Sequence, residues 1–325
     1  VRELAAPAVA RGVKFIANMG GANPIAGARR TKQLLTDLGH PKVKVASIVG
    51  DDVLDIIRTE NITLADGRHL SDLTGQVITA NAYIGAASIV EALQMGADVI
   101  VAGRVADPSL WLAPAIFEYG WAFDDWDVLA GGQMVGHLLE CGTHMTGGNW
   151  ADPPYRVVPD LWNLGLPAAD IYADGSAIIW KLPGTGGMVD VLNCKTQIVY
   201  ETHDPANYLT PDLTVDLTQV RLEQVGVNRV RMTGAKGKPA PATLKVLVGV
   251  LEGYIGEGEI SFAGPGALSR AQLGAETITK RLAHDGISFD EIRIDYIGLN
   301  SVHGDMTPPT DHEPWEVRLR VAART

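Results

Sequence analysis

Short apolar runs alternate with amphipathic stretches of helical period through the first half of the chain, and this constrains the fold more than any other feature. Residues 13–18, 43–49, 76–81 and 98–102 read as strands. Helical patterns cover 26–38, closed by Gly39, begin again at 51–58, cover 86–95, closed by Gly96, and return at 109–119. Strand, loop and helix repeated at this length predict parallel strands with right-handed crossovers, hence an α/β fold built as an open sheet or part of a barrel. Ligands of such folds gather at the carboxyl ends of the strands. Those ends carry Asn18-Met19-Gly20-Gly21-Ala22-Asn23-Pro24, Gly50-Asp51-Asp52, Asn81-Ala82-Tyr83-Ile84-Gly85 and Gly103-Arg104-Val105-Ala106-Asp107. Four polar clusters at equivalent positions are expected to line one cleft.

The pattern changes after Trp150. Asp152-Pro153-Pro154-Tyr155 and Val158-Pro159-Asp160 lead into alternating segments at 177–182, 229–233 and 244–251, with helix-like runs at 191–202 and 268–285 and strands at 291–297 and 315–322. This predicts a mixed α+β half. A boundary near 151–160 gives an α/β domain over 1–155 and a mixed α+β domain over 156–325. The chain opens without Met in a helix-like stretch, Val1 to Gly12, so its true N-terminus is expected upstream.

Of 325 residues, 46% are hydrophobic, enough for a sizeable core, and the net charge is -11. That charge argues against a nucleic-acid partner, which is held by its phosphates. Cys141 and Cys194 make no disulfide framework, and no apolar run reaches the roughly 18 residues of a membrane span. A soluble protein of a reducing, cytoplasmic compartment is expected, with a small-molecule substrate and self-association left open. Residues 51–150 hold 14 Asp and Glu against Arg58, Arg68 and Arg104.

Four groups of residues could carry chemistry. In a helix, His137, Glu140, Cys141 and His144 would share one face. Imidazole, carboxylate and thiol could then form a nucleophile–base–orienter set or bind Zn²⁺, although Gly142 weakens the helix; the alternative is a core face with an inert Cys. Because Glu140 disfavours a second negative charge beside it, His137 and Glu140 are the expected acid–base pair and Cys141 a pocket wall. Arg104 offers a planar fork to a carboxylate or phosphate, or an internal ion pair to Asp107 or Asp51. Gly20-Gly21, Gly147-Gly148-Asn149 and Gly184-Thr185-Gly186-Gly187 could present backbone N–H groups to an anion, as could Asn18, Asn23 and Asn81 with their side chains, or the glycines could simply serve tight turns. Asp51 is a candidate general base, although Asp51-Asp52 also read as helix N-terminal acids favoured by the dipole, the more ordinary of the two readings. Trp111, Trp121, Trp126, Trp150, Trp162 and Trp180 could wall an apolar pocket or serve ordinary packing.

The strings Ala17-Asn18-Met19-Gly20-Gly21-Ala22-Asn23-Pro24, Gly50-Asp51-Asp52, Gly96-Ala97-Asp98-Val99-Ile100-Val101-Ala102-Gly103-Arg104-Val105-Ala106-Asp107 and Gly136-His137-Leu138-Leu139-Glu140-Cys141-Gly142 occur in that order. Thr146-Gly147-Gly148-Asn149, Gly184-Thr185-Gly186-Gly187 and Gln224-Val225-Gly226 continue it. In this the chain resembles the N-terminal domain of the acyclic terpene utilisation (AtuA-like) proteins. The resemblance implies a role in breaking down branched acyclic terpenoids such as citronellol and geraniol, whose intermediates are coenzyme A thioesters. It also implies an upstream strand–helix segment with its own glycine-rich loop and a C-terminal ferredoxin-like domain or separate subunit. The leading expectation is a lyase- or hydratase-type enzyme acting on an acyl-CoA or carboxylate by hydration, dehydration or C–C cleavage, with no cofactor. The runner-up is a non-catalytic ligand-binding or structural subunit of a multisubunit enzyme; a metal hydrolase is a third reading and would need bound Zn²⁺.

Overall fold

The computed structural model describes residues 2–60, 62–309 and 312–325. These group into two compact units, one running to Ile62 and over Thr79–Gly249, the other holding Thr63–Ile78 and Val250–Thr325. The chain runs through α1 (Ala5–Ala10), β1 (Phe15–Ala17), α2 (Pro24–Asp37), β2 (Val45–Ile48), α3 (Leu54–Thr59), β3 (Gln76–Ala82), α4 (Ala87–Gln94), β4 (Val99–Ala102), α5 (Ser109–Tyr119) and α6 (Trp126–Leu139).

The fold is mixed α/β and holds a parallel sheet of order β1-β4-β2. Its central strand, Val99-Ile100-Val101-Ala102, is buried on both faces, as a parallel strand between helices must be. Local chemistry sets the helix starts. Asn23 caps α2 through its side-chain oxygen on the Ala26 N–H, and Pro24 occupies the first helical position. β3 departs from the expected series. It pairs with β12 (Val246–Leu251) instead of joining the parallel sheet. The reason is visible in its residues: Gln76, Ile78 and Thr79 are exposed, and only Ala80 and Ala82 are buried.

Helix α6 is the axis of the first unit. Every residue from Leu129 to Leu139 is buried, so the helix is packed all round. Two glycines permit this. A side chain at Gly131 would place its Cβ 2.1 Å from the Gly175 carbonyl, and one at Gly136 would come 2.4 Å from that of Pro108. Beyond α6 come β5 (Pro167–Ile171), β6 (Ala177–Lys181), α7 (Val191–Val199), β7 (Tyr208–Leu209), β8 (Thr214–Asp216), β9 (Arg221–Gly226), β10 (Arg229–Thr233) and β11 (Lys236–Lys238). They form the sheets β5-β6-β10-β9 and β11-β8-β7, both antiparallel.

One apolar core includes Ile100, Leu112 and Met134 together with Ile179, Val215 and Met232. Residues on both sides of 155/156 share it, and the division expected there falls inside the first unit. The second unit carries β13 (Ile255–Ala263), α8 (Ala267–His284), β14 (Glu291–Ile297) and β15 (Glu316–Arg324). Its antiparallel sheet has the order β13-β15-β14, and Ala271 and Ala275 of α8 pack on Val317 and Leu319. Among the described residues no helix is long and apolar enough to cross a membrane.

Candidate functional site

The loops after β1, β2, β3 and β4 meet through hydrogen bonds. Asp51 is buried, and its Oδ2 accepts from the backbone N–H of Arg104 at 2.8 Å and from Asn81 Nδ2 at 2.9 Å. Gly103 lies against the same carboxylate, where a Cβ would stand 2.3 Å from Oδ1. Only glycine fits between the β4 end and Asp51. Asp107 Oδ1 accepts from Asn18 Nδ2 at 2.6 Å and from Arg104 Nη2 at 2.7 Å. Arg104 Nη2 also donates to the Val105 carbonyl at 2.7 Å. Asn18, Asp51, Asn81, Arg104 and Asp107 thus form one polar group at the strand ends. Within it Asp51 positions the Arg104 loop, and half of the Arg104 fork is engaged by Asp107. Asp52 Oδ1 accepts from the Leu54 N–H at 3.1 Å, at the start of α3.

At the end of α6 stands a second group. His137 is fully buried, and its Nε2 lies 3.2 Å from the Ile198 carbonyl oxygen. A carbonyl only accepts, so Nε2 carries a hydrogen. Nδ1 lies 2.9 Å from Glu140 Oε1 and 3.4 Å from the Tyr208 hydroxyl. With Nε2 committed, the pair is either imidazolium with carboxylate or neutral imidazole accepting from a protonated Glu140; one proton is shared between the two groups. Burial pushes Glu140 above its ordinary range; His137 pulls it down, and the charges of Asp107 and Glu201 push it further up. Its side chain is 14% exposed, and so is the member of the pair that solvent or a ligand can reach. Burial pushes the Cys141 thiol up, Gln197 offsets part of this as a hydrogen-bond partner, and Glu140, Glu201 and Asp107 add to the rise. A thiol held protonated suits a wall better than a nucleophile. Burial likewise keeps Tyr208 a neutral hydroxyl.

Helix α6 ends at Leu139, and Gly142 takes a left-handed φ of 56°. The shared face expected for four residues therefore stops at Cys141. His144 turns away to an exposed position against Tyr200, and among the described residues no three His, Cys, Asp or Glu side chains are grouped to hold a metal ion. Asp107 connects the two polar groups: it pairs with Arg104, and its charge acts on Glu140.

The glycine loops spend many of their backbone N–H groups on tight turns, one of the two readings the sequence allows. Gly20 N–H donates to the Ala102 carbonyl, Gly147 to His144, Gly148 to Thr143, Gly186 to Asn163 and Gly187 to Pro159. Gly21 and Gly184 take left-handed φ values, as turns require, and Thr185 Oγ1 donates to the Leu182 carbonyl. The loops at 147–149 and 184–187 pack on each other through the Met188 N–H and the Thr146 carbonyl; Asn149 is exposed beside them. The six tryptophans are dispersed, with Trp180 Nε1 donating to Asp170 Oδ1 at 3.1 Å on the β5–β6 sheet. Trp121 belongs to the core, Trp111 and Trp126 pack against it, Trp150 carries Arg156 over its ring, and Trp162 is 85% exposed. A cavity of about 720 Å³ lies in the second unit, lined by Ile260, Ile278, Phe289, Leu319 and Val321 among others; no residue of the two polar groups lines it.

Sequence reasoning missed Tyr208, the Ile198 carbonyl, Gln197 and Glu201. Tyr208, the Ile198 carbonyl and Gln197 reach His137 across some sixty to seventy residues of chain, Glu201 acts on Glu140 and Cys141 through its charge, and no local pattern marks them. Glu201 carries one local oddity, a non-glycine left-handed φ of 56° just past α7.

Fold and site together define an α/β protein with a buried, proton-sharing His–Glu pair beside the polar ends of a parallel sheet. The model of the acyclic terpene utilisation family protein AtuA matches residues 1–325, and the chain belongs to that family. Comparison with curated proteins and with solved structures gives no match.

Proposed function

We propose that the protein is a cytoplasmic enzyme of branched acyclic terpenoid catabolism that acts on an acyl-CoA or carboxylate by hydration, dehydration or C–C cleavage. The observation that carries this reading is the His137–Glu140 contact at 2.9 Å, with Nε2 of the same ring committed to Ile198. Each of the three reactions moves a proton between substrate carbon or oxygen and a protein group that must accept and return it. Glu140 is the group that meets the substrate. Burial raises its pKa, so it holds its proton to a higher pH than an ordinary carboxyl and can act as an acid, and as a carboxylate it removes a proton. His137, behind it, holds or returns that proton through Nδ1, and the Tyr208 hydroxyl lies within reach of the same nitrogen. Arg104, one terminal nitrogen of which has no hydrogen bond among the described residues, would hold an anionic group of the substrate.

The family assignment supports the catabolic setting; the reaction rests on the geometry of the pair. A panel of branched unsaturated and β-hydroxy acyl-CoA thioesters, incubated with the protein and followed by mass spectrometry, tests it. A mass change of one water or a cleaved fragment, lost in His137→Ala and kept in Cys141→Ser, is the expected result. A second reading, a non-catalytic ligand-binding subunit, draws on the internal use of Asp51 and of half the Arg104 fork. It is favoured if no thioester is altered while one still binds.

A further inference from the structure

Lys245 precedes β12 and lies 141 positions beyond Arg104 in the chain, yet both cations address one aromatic ring. The Arg104 guanidinium carbon lies 4.6 Å from the centroid of Tyr83, and Lys245 Nζ lies 4.8 Å from it. The two charges are therefore within about one Debye length, ~10 Å, of each other. This is not a chance meeting of flexible side chains, because the Tyr83 N–H donates to the Lys245 carbonyl at 2.9 Å and fixes the two backbones together.

The balance of charge at the ring is uneven. Among the described residues Lys245 Nζ has neither an ion pair nor a hydrogen bond, and Arg104 Nη1 has no hydrogen bond. Among the described residues Asp107 is the one carboxylate paired with Arg104, and it also takes the Asn18 amide. Two cations gathered on one ring, of which Arg104 alone is paired with a carboxylate among the described residues, repel each other unless an anion joins them. The ring between them attracts both through its face but supplies no full negative charge.

The geometry points to an oxyanion-binding site in which Arg104 Nη1 and Lys245 Nζ take a carboxylate or phosphate group over Tyr83. This rests on the acid–base reading of Glu140 only for the identity of the ligand's other end: Asp107 pairs with Arg104 and its charge also acts on Glu140, which makes the anion anchor and the His137–Glu140 pair electrostatic neighbours. The site makes the substrate an anion and adds Lys245 and Tyr83 to the residues that hold it. The oxygen donor is either the carboxylate of a free branched acid or a phosphate of a coenzyme A thioester; both offer the same chemistry to a fork and an ammonium.

Calorimetric titration of the whole chain at low ionic strength separates these sources, with coenzyme A, inorganic pyrophosphate and 3-methylbut-2-enoate as probes. At least one probe is expected to bind. Its affinity should fall roughly tenfold or more in Lys245→Gln, as loss of a charge-assisted hydrogen bond implies, and be largely kept in Lys245→Arg. Binding of coenzyme A and pyrophosphate alone assigns the phosphates, and binding of the enoate alone assigns the carboxylate. Lys245 is exposed, so the variant should keep the parental melting temperature. No binding of any probe, or equal affinity in Lys245→Gln, overturns the site. The readout is affinity, so a Glu140→Gln protein that retains turnover would remove the acid–base reading and leave this result intact.

Discussion

At Glu140 burial and a neighbouring imidazole act in opposite directions on one carboxyl group. Burial prevails, helped by the charges of Asp107 and Glu201. The sign follows directly. A carboxyl raised in the folded protein binds its proton more tightly than in the unfolded chain, so its contribution to stability is complete below the ordinary value of 4.5 and is lost as pH rises through the raised one. If Glu140 acts as the acid, turnover declines over the same rise. Glu201 acts on Glu140 through its charge, which is part of what holds the carboxyl up. In Glu201→Gln the alkaline limb of the pH–rate profile should therefore move to lower pH, with the plateau rate little changed. An unmoved limb would mean that Glu140 does not set it. The buried Cys194 thiol, pushed up to about 12 by burial, is inert by the same physics.

At the scale of elements, the site depends on how closely neighbours approach α6. The Pro108 carbonyl leaves no room for a Cβ at Gly136, the residue before His137. In an open helix Gly→Ala would gain about 1 kcal/mol from helix propensity. Here the clash with backbone should outweigh it, and Gly136→Ala is expected to lower stability by roughly 1–3 kcal/mol in urea unfolding. A stabilised variant would show that the α5 start can move away. Much at this scale was legible in the sequence: α2, α4, α5 and α8 follow the apolar period and its glycine stops, and β1, β2 and β4 are the apolar runs between them. The three-residue spacing of His137 and Glu140 was legible too. What failed was partner choice. β3 has a strand's residues, but its mate lies at 246–251, and the N–H groups of Gly147, Gly148, Gly186 and Gly187 looked free until the carbonyls that accept them came into view. A strand pattern says which residues extend, and nothing local says what they pair with.

For the whole molecule, a shared core decides what can fold alone. Ile100 and Leu112 pack in the same apolar cluster as Ile179, Val215 and Met232. Fragments 1–155 and 156–325, made separately, are accordingly expected to lack the cooperative thermal transition of the whole chain, as read by circular dichroism. Two fragments that each melt cooperatively would restore the division at 155/156. The composition of the two halves could not reveal this, because antiparallel strands and α6 bury the same aliphatic side chains that separate domains would use. The His137–Glu140 pair forms inside that joint core, since His137 comes from α6 while Ile198 and Tyr208 come from the segment after it. The most direct test is the single-turnover rate of Glu140→Gln on whichever thioester the parent converts. Gln keeps the shape of the side chain and loses its transferable proton, so the rate should fall by about 10²–10⁴ while the melting temperature at neutral pH stays at or above that of the parent. A parental rate in Glu140→Gln would contradict the assignment of His137 and Glu140 as the acid–base pair.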